Sequence, residues 1–423
     1  MKKVLGALLS ISMIAGMLAG CGSEPAQADQ PETVQTETAA ATEETVAAEP
    51  TDIKIWHDGD EAIMSTIASQ VNAQLADQNI TVTFEKKTGL TDQLKLYGND
   101  EQNGPDMYFY AHDSLGTFVE MGILSPLGDA LEAGVTDGLL PMTVEAGQYK
   151  GEQYFMPVYF ETLLFMYNKG LWQGEVPSTT DELYDYMVAN TTNDQYAVVN
   201  QHSTAYNVAP FINGFGGYII DKDGNPGLDD AKTLEAIEYN QKFAALQADG
   251  DYNTVTTLFN EGKAAAIVGG PWLVSGIKEA GIDLGIKSLS DFALPNGGKL
   301  APYSGVQGVG VMKYAMDSKK DAISKVLTAM AGKEVGVDLA KNSNCAPANI
   351  AAYEDGEVAA NEMIMAIRQT AETAEPMPNI PQMSVMWGPA EELLAAVNKS
   401  GADLNDTAAK CQEEALTAIA DMQ

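Results

Sequence analysis

The sequence predicts an α/β fold built on a largely parallel sheet, and three observations carry that expectation. Ile53 and Ile55 alternate with polar residues before Trp56, and Ile80, Val82 and Phe84 alternate again. Between them Ile63, Ile67, Val71 and Leu75 recur every four residues, so a helical period lies between two stretches of period two. A compact apolar run from Met107 to Tyr110 then follows Gly104-Pro105-Asp106 and supplies a third strand. Strand, helix and strand at this spacing form a βαβ unit. The chain of 423 residues is 45% hydrophobic, which is ample for packed cores and longer than one average domain.

Taken from its start, the chain opens with Lys2 and Lys3, an apolar run from Val4 to Leu18, and then Leu18-Ala19-Gly20-Cys21. A basic start, a short apolar stretch and small residues before a cut read as a secretory signal peptide over residues 1–20, too short for a comfortable membrane span. The Leu-Ala-Gly-Cys order resembles the lipobox of bacterial lipoproteins, which implies cleavage before Cys21 and a diacylglycerol on its sulfur. Cutting there removes two lysines and no acid, moving the net charge from −35 to −37. Gly22 to Pro50 holds no Lys, Arg or aromatic residue, and Val34 and Val46 are its only large apolar side chains. Such a segment buries too little apolar surface to offset its chain entropy. Residues 21–51 are therefore expected to form a disordered acidic tether, spanning on the order of 30 Å. The folded body would hang from the extracellular face of the bacterial cytoplasmic membrane. Further along, Thr179 and Glu182 fit a capping box behind Pro177. The run Ala264 to Val268 reads as a buried strand that stops at Gly269-Gly270-Pro271. No repeat of fixed period is visible.

Charge and composition exclude several function classes. With 24 basic against 59 acidic residues, the chain repels nucleic-acid phosphate. Three cysteines rule out a disulfide scaffold, and Cys345 and Cys411 are expected as free buried thiols. Three histidines without metal spacing leave little for metal or His-based chemistry, although His112, beside Asp113, is a candidate hydrogen bonder. Asp221, Asp223 and Asn225 have the spacing of a calcium loop, but Pro226 and Lys232 stand where that loop needs Gly and Glu. The stretch reads as a turn between strands. Neither a Gly-x-x-x-x-Gly-Lys phosphate loop nor a Gly-x-Ser-x-Gly elbow is present. No cofactor and no metal are expected.

In open α/β sheets, ligands bind past the carboxyl ends of the strands. Aromatics and carboxylates recur there: Trp56 through Glu61 after Ile55, Tyr110-Ala111-His112-Asp113, Tyr159-Phe160-Glu161 after Val158, and Gly270-Pro271-Trp272 after Val268. Taken singly, each aromatic is better explained as core and each acid as a solvated face. Their recurrence at strand ends favours a site, and the chemistry suits sugar. The C–H face of a pyranose lies on an aromatic ring, and its hydroxyls donate to ionised carboxylates.

Four segments carry a resemblance. Gly104-Pro105-Asp106-Met107-Tyr108-Phe109-Tyr110-Ala111-His112-Asp113, Tyr167-Asn168-Lys169, Gly269-Gly270-Pro271-Trp272 and Met377-Pro378-Asn379-Ile380-Pro381-Gln382-Met383-Ser384 with Trp387 look like the maltose/maltodextrin-binding proteins. These are the extracellular solute receptors of ABC importers. The resemblance runs from about Thr51 to the C-terminus. It implies a two-lobe, periplasmic-binding-protein-like fold with a ligand cleft between lobes and more than one chain crossing. One lobe would take residues 52–160 and 304–347, the other 161–303 and 348–423, with hinge crossings near Phe160, Tyr303 and Pro347. It further implies sugar-binding carboxylates at Asp60, Asp113 and Glu161, an aromatic platform at Tyr110, stacking rings at Tyr206, Trp272 and Trp387, and a lining residue at Met377. Departures are Glu61 where the family has Lys, Ser114 for Arg, Thr204 for Glu, Gly388 for Tyr, and Glu391 for Arg. Glu61 remains in the candidate site with its charge reversed.

The resulting expectation is a lipid-anchored, monomeric receptor that binds malto-oligosaccharides and delivers them to ABC transporter permease subunits, without enzymatic activity. A receptor for a different oligosaccharide is the alternative. More distant are a glycoside hydrolase using two of Asp60, Asp113 and Glu161, which would need a defined carboxyl separation, and a surface adhesin for insoluble glycan.

Overall fold

The structure, a computed structural model, describes residues 50–247 and 250–422. The signal peptide, Cys21 and nearly all of the expected tether lie outside those residues. Among the described residues the strands, in chain order, are β1 (Thr51–His57), β2 (Ile80–Lys86), β3 (Met107–Ala111), β4 (Gln148–Tyr149), β5 (Glu152–Gln153), β6 (Phe155–Thr162), β7 (Leu164–Asn168), β8 (Tyr196–Val199), β9 (Ala264–Gly269), β10 (Leu284–Ser288), β11 (Tyr303–Val311), β12 (Ala346–Pro347) and β13 (Glu375–Pro376). A seven-stranded sheet has the order β12-β6-β11-β3-β1-β2, with β13 also on β11. A four-stranded sheet has the order β10-β7-β9-β8, and β4 and β5 form a small hairpin.

The βαβ unit forms as the sequence predicts, with β1 parallel to both β2 and β3 and helix Glu61–Leu75 between the first two. The helix buries Met64, Ile67, Val71 and Leu75, while Ile63 is only partly buried. A strict four-residue step drifts by about 40° per step on a helix of 3.6 residues per turn. That drift carries Ile63 to the edge of the stripe and brings Met64 to its centre.

The large sheet is mixed rather than largely parallel, because β11 runs antiparallel to β3 and to β6. Strand β11 does not return from a helical crossover on the same sheet. It enters after the chain has built the small sheet, so no βαβ geometry dictates its direction. Strand β6 is longer than expected. It continues through Tyr159 and Phe160, 6% and 0% exposed, so both are core, and only Glu161 near its end faces the site. Trp56 is likewise core, 3% exposed, with its indole N–H on Glu85 at 3.1 Å.

The two sheets are joined tightly. A single residue, Leu163, separates β6 from β7. Strand β12 pairs with β6 at Phe160 and Tyr159, β13 pairs with the start of β11, and the Thr162 hydroxyl donates to the Tyr303 carbonyl at 2.9 Å. In β7 the side chains alternate. Leu164 and Met166 join an apolar cluster that runs on into the large sheet, and Phe165 joins a second cluster on the opposite face. The Thr179 hydroxyl caps helix Thr180–Asn190 by accepting from Glu182 N. The Glu182 carboxylate returns to Ser178 N at 3.3 Å, one residue before the position a capping box uses. Cys345 and Cys411 are buried free thiols. Asp221 organises the expected turn by accepting from Asp223 N and Asn225 N, and Ile220 bridges Pro226.

Candidate functional site

Asp60 ends the segment after β1 and caps helix Glu61–Leu75. Its Oδ1 accepts from Ala62 N at 2.7 Å and Ile63 N at 3.3 Å, which leaves Oδ2 outside the cap. Glu61, one residue on, is 64% exposed and lies 3.9 Å from His57 Nε2. Tyr110, next to last in β3, is half-buried, and Asp113 follows on the turn His112–Ser114. Glu161 sits on β6 opposite Gly305 of β11.

These carboxylates converge. Burial first, then the charges of Glu161 and Asp113, push the Tyr206 phenol up. Burial, Asp58 and Asp113 do the same to Tyr110. On the other side of Glu161, the Tyr159 phenol and the Cys345 thiol are raised by burial and both feel Glu161 and Asp60. Glu161 therefore lies between two neighbours, Asp113 on the side of Tyr206 and Asp60 on the side of the buried Tyr159 and Cys345. Asp58, half-buried, was not singled out by the sequence, although the acidic run after β1 contains it.

Two of the acids are kept without protein partners. Asp113 Oδ1 is buried and accepts no hydrogen bond. Burial holds the Glu161 carboxyl above its usual range, and among the described residues no cation or side-chain donor meets it. A buried acceptor left open costs about 1–3 kcal/mol, so this arrangement suits a ligand that brings donors of its own.

The aromatic residues complete the walls. Tyr206, in the first turn of helix Ala205–Phe215, lies 6.4 Å from Trp272, centroid to centroid. Trp272 is 43% exposed, which is high for an indole and apt for a stacking surface. Trp387 packs edge-on against Tyr303 at 6.5 Å, so it shares its ring with the core. The Met377 methyl stands 3.9 Å from where a Cβ on Gly305 would lie. A Cβ at Gly305 would meet Met377 in ordinary van der Waals contact, which places Met377 next to the strand pair that carries Glu161.

His112 does not face the ligand. It is fully buried, with Nε2 2.9 Å from the Met377 carbonyl and Nδ1 accepting from Val306 N at 3.1 Å. Both ring nitrogens are committed to backbone. A cavity of about 1440 Å³ lies elsewhere. Met142, Tyr149, Tyr218, Arg368 and Glu375 border it, and of the candidate residues only Met377 does.

A family profile described as bacterial extracellular solute-binding protein matches residues 67–366. A maltotriose-binding protein of Pyrococcus abyssi is 31% identical over 86% of this chain and 82% of its own length. A galactooligosaccharide-binding protein of Bacillus subtilis is 27% identical over 83% of this chain and 86% of its own. Among solved structures, a cyclo/maltodextrin-binding protein complexed with maltotetraose superposes with a TM-score of 0.78 at 23% identity, covering 87% of this chain and 97% of that one. That likeness establishes the two-lobe fold.

Proposed function

The chain belongs to the bacterial extracellular solute-binding proteins, and from that premise we propose that it is a receptor for malto-oligosaccharides serving an ABC importer. The observation that carries the reading is the pair of partnerless acids, Asp113 and Glu161, set among Tyr110, Tyr206 and Trp272. Sugar hydroxyls supply the donors these oxygens lack, and the rings take the C–H faces. Asp60 offers its uncapped oxygen and Glu61 a solvent-side carboxylate. Met377 and Trp387 line the far wall. Most strands of the large sheet fall in one lobe, 52–160 with 304–347, and all strands of the small sheet in the other, 161–303 with 348–423, which also takes β13 and the end of β6. Closure then bends the short links near Phe160, Tyr303 and Pro347. Lipidation of Cys21 tethers a monomer to the extracellular face of the cytoplasmic membrane, within reach of the permease subunits.

Isothermal titration with maltose, maltotriose, maltotetraose, maltoheptaose and a galactooligosaccharide tests this. Micromolar or tighter binding to the malto-series, about −8 kcal/mol or better, is the expected result, and the length at which affinity plateaus counts the subsites. Silence to the malto-series with binding of the galactooligosaccharide assigns the chain to the second reading. The Bacillus subtilis relative and the loss of the family's cations at Glu61, Ser114 and Glu391 favour that reading as the alternative. Chromatography of maltotetraose after long incubation checks the chemistry. A receptor returns it intact, whereas shorter sugars would mean that two of the three acids act as a hydrolytic pair.

A further inference from the structure

Strand β11 carries two neighbours on one edge. Strand β3 pairs with it from Val311 back to Gln307, where Ala111 is the last partner. Strand β13 pairs with it at Tyr303 and Ser304. Between them lies a seam at Gly305 and Val306. The parallel ladder of β13 is regular up to the seam, with Glu375 N donating to Pro302 O at 3.0 Å and Met377 N to Ser304 O at 3.2 Å. The next rung of such a ladder would run from Val306 N–H to the Met377 carbonyl. In its place stands the His112 ring. Val306 N–H donates to Nδ1 at 3.1 Å, and Nε2 meets the Met377 oxygen at 2.9 Å.

We propose that His112 is a positioning residue of the ligand site, spliced into the β11–β13 ladder as a neutral donor–acceptor relay whose width sets where Met377 stands against Asp113 and Glu161. A backbone N–H only donates, so Nδ1 accepts. A carbonyl only accepts, so Nε2 carries the proton. One tautomer satisfies both, and the imidazolium breaks the arrangement, because its Nδ1–H would face the Val306 N–H. The ring holds the two strands an imidazole's width apart at the seam. Pro378 and Asn379 then diverge from β11, and Asn379 is caught beyond by Gly116 N on its carbonyl and by the Ala146 and Gln148 carbonyls on its amide. The charged groups on the elements packed around the ring are carboxylates: Asp113 on its own turn, Glu161 on β6 across Gly305, and Glu375 on β13. Burial nonetheless keeps the imidazole below its ordinary range, against the pull of Asp113.

The sugar arm of the test rests on the receptor reading above, and the spectroscopic arm does not. Nitrogen-15 NMR of the mature chain without its lipid, assigned by comparison with His112→Gln, is expected to show Nδ1 unprotonated and Nε2 protonated at pH 7. The Val306 amide should be protected from exchange. The opposite tautomer, or a cation at pH 7, overturns the relay. His112→Leu removes both bonds. It should lose Val306 protection and bind maltotetraose at least about tenfold more weakly, while His112→Gln, whose amide offers one donor and one acceptor, should recover most of that loss. Equal affinity of His112→Leu and parent would reduce His112 to a packing residue. If His112→Leu does not fold, the His112→Gln variant still decides the matter. Its affinity should fall less steeply than the parent's towards acid pH, because the carboxylates of the site titrate in both proteins and the imidazole only in the parent, and identical profiles overturn the proposal. If the parent binds no malto-oligosaccharide, the receptor reading has failed, and the tautomer and the Val306 exchange still decide the relay.

Discussion

Glu161 and Asp113 share a site and differ in what holds them. Burial raises the Glu161 carboxyl, so the folded protein takes up a proton there more readily than the unfolded chain. The group's stabilising contribution is fully present below its unfolded range and is lost as pH rises through its folded one. Ionising this partnerless carboxyl therefore costs the sugar-free protein stability as pH rises. Glu161→Gln should raise the melting temperature at pH 7, with a gain that shrinks towards pH 4, and should weaken sugar binding about 10- to 100-fold through loss of a charged acceptor. Asp113→Asn should show a comparable affinity loss. Calorimetric melts across pH together with titrations check both substitutions. A Glu161→Gln protein less stable than its parent at pH 7, or one of unchanged affinity, would sink this account. The sequence already pointed to both acids through their place after strands. It could not show that Asp113 is left without a partner while His112 beside it is wholly taken up by backbone, because the bonds to Val306 and Met377 join positions 194 and 265 residues away. Nor could it separate Trp272, free to stack, from Trp387, partly engaged with Tyr303.

At the scale of elements, a helix start is made to serve the site. Asp60 caps helix Glu61–Leu75 through one oxygen, and the proposed ligand takes the other. Asn caps about as well as Asp, while Ala costs about 1 kcal/mol. Asp60→Asn should therefore keep the urea midpoint and Asp60→Ala should lower it, while both weaken sugar binding. If the two variants lose stability equally, the cap is not what Asp60 contributes. Equal affinity of Asp60→Asn and parent would leave it a cap alone. The local elements were legible because their signals are local: alternation at Ile53 and Ile55, the stripe at Ile67, Val71 and Leu75, and the Thr179 cap. What escaped was long-range. The direction of β11, the length of β6 past Val158 and the two-residue strands β12 and β13 depend on partners far along the chain, and two residues cannot display a period.

For the whole molecule, the cores decide how the lobes answer to ligand. One apolar cluster extends from Ile53, Ile55 and Val309 of the large sheet to Leu164, Met166 and Ile267 of the small one. The links between the sheets are as short as the single residue Leu163. Neither sheet can lose its packing without exposing part of the cluster it shares. The described body should therefore melt in one cooperative transition, with calorimetric and van't Hoff enthalpies in agreement. A ligand held by residues from both lobes, Asp113 from one and Glu161, Tyr206 and Trp272 from the other, should shift that single transition upward as a unit. At one hundred times its dissociation constant, maltotetraose should add about 2.7 kcal/mol to the unfolding free energy. Two resolved transitions, of which only one responds to sugar, would show that the lobes fold separately and that the site belongs to one of them.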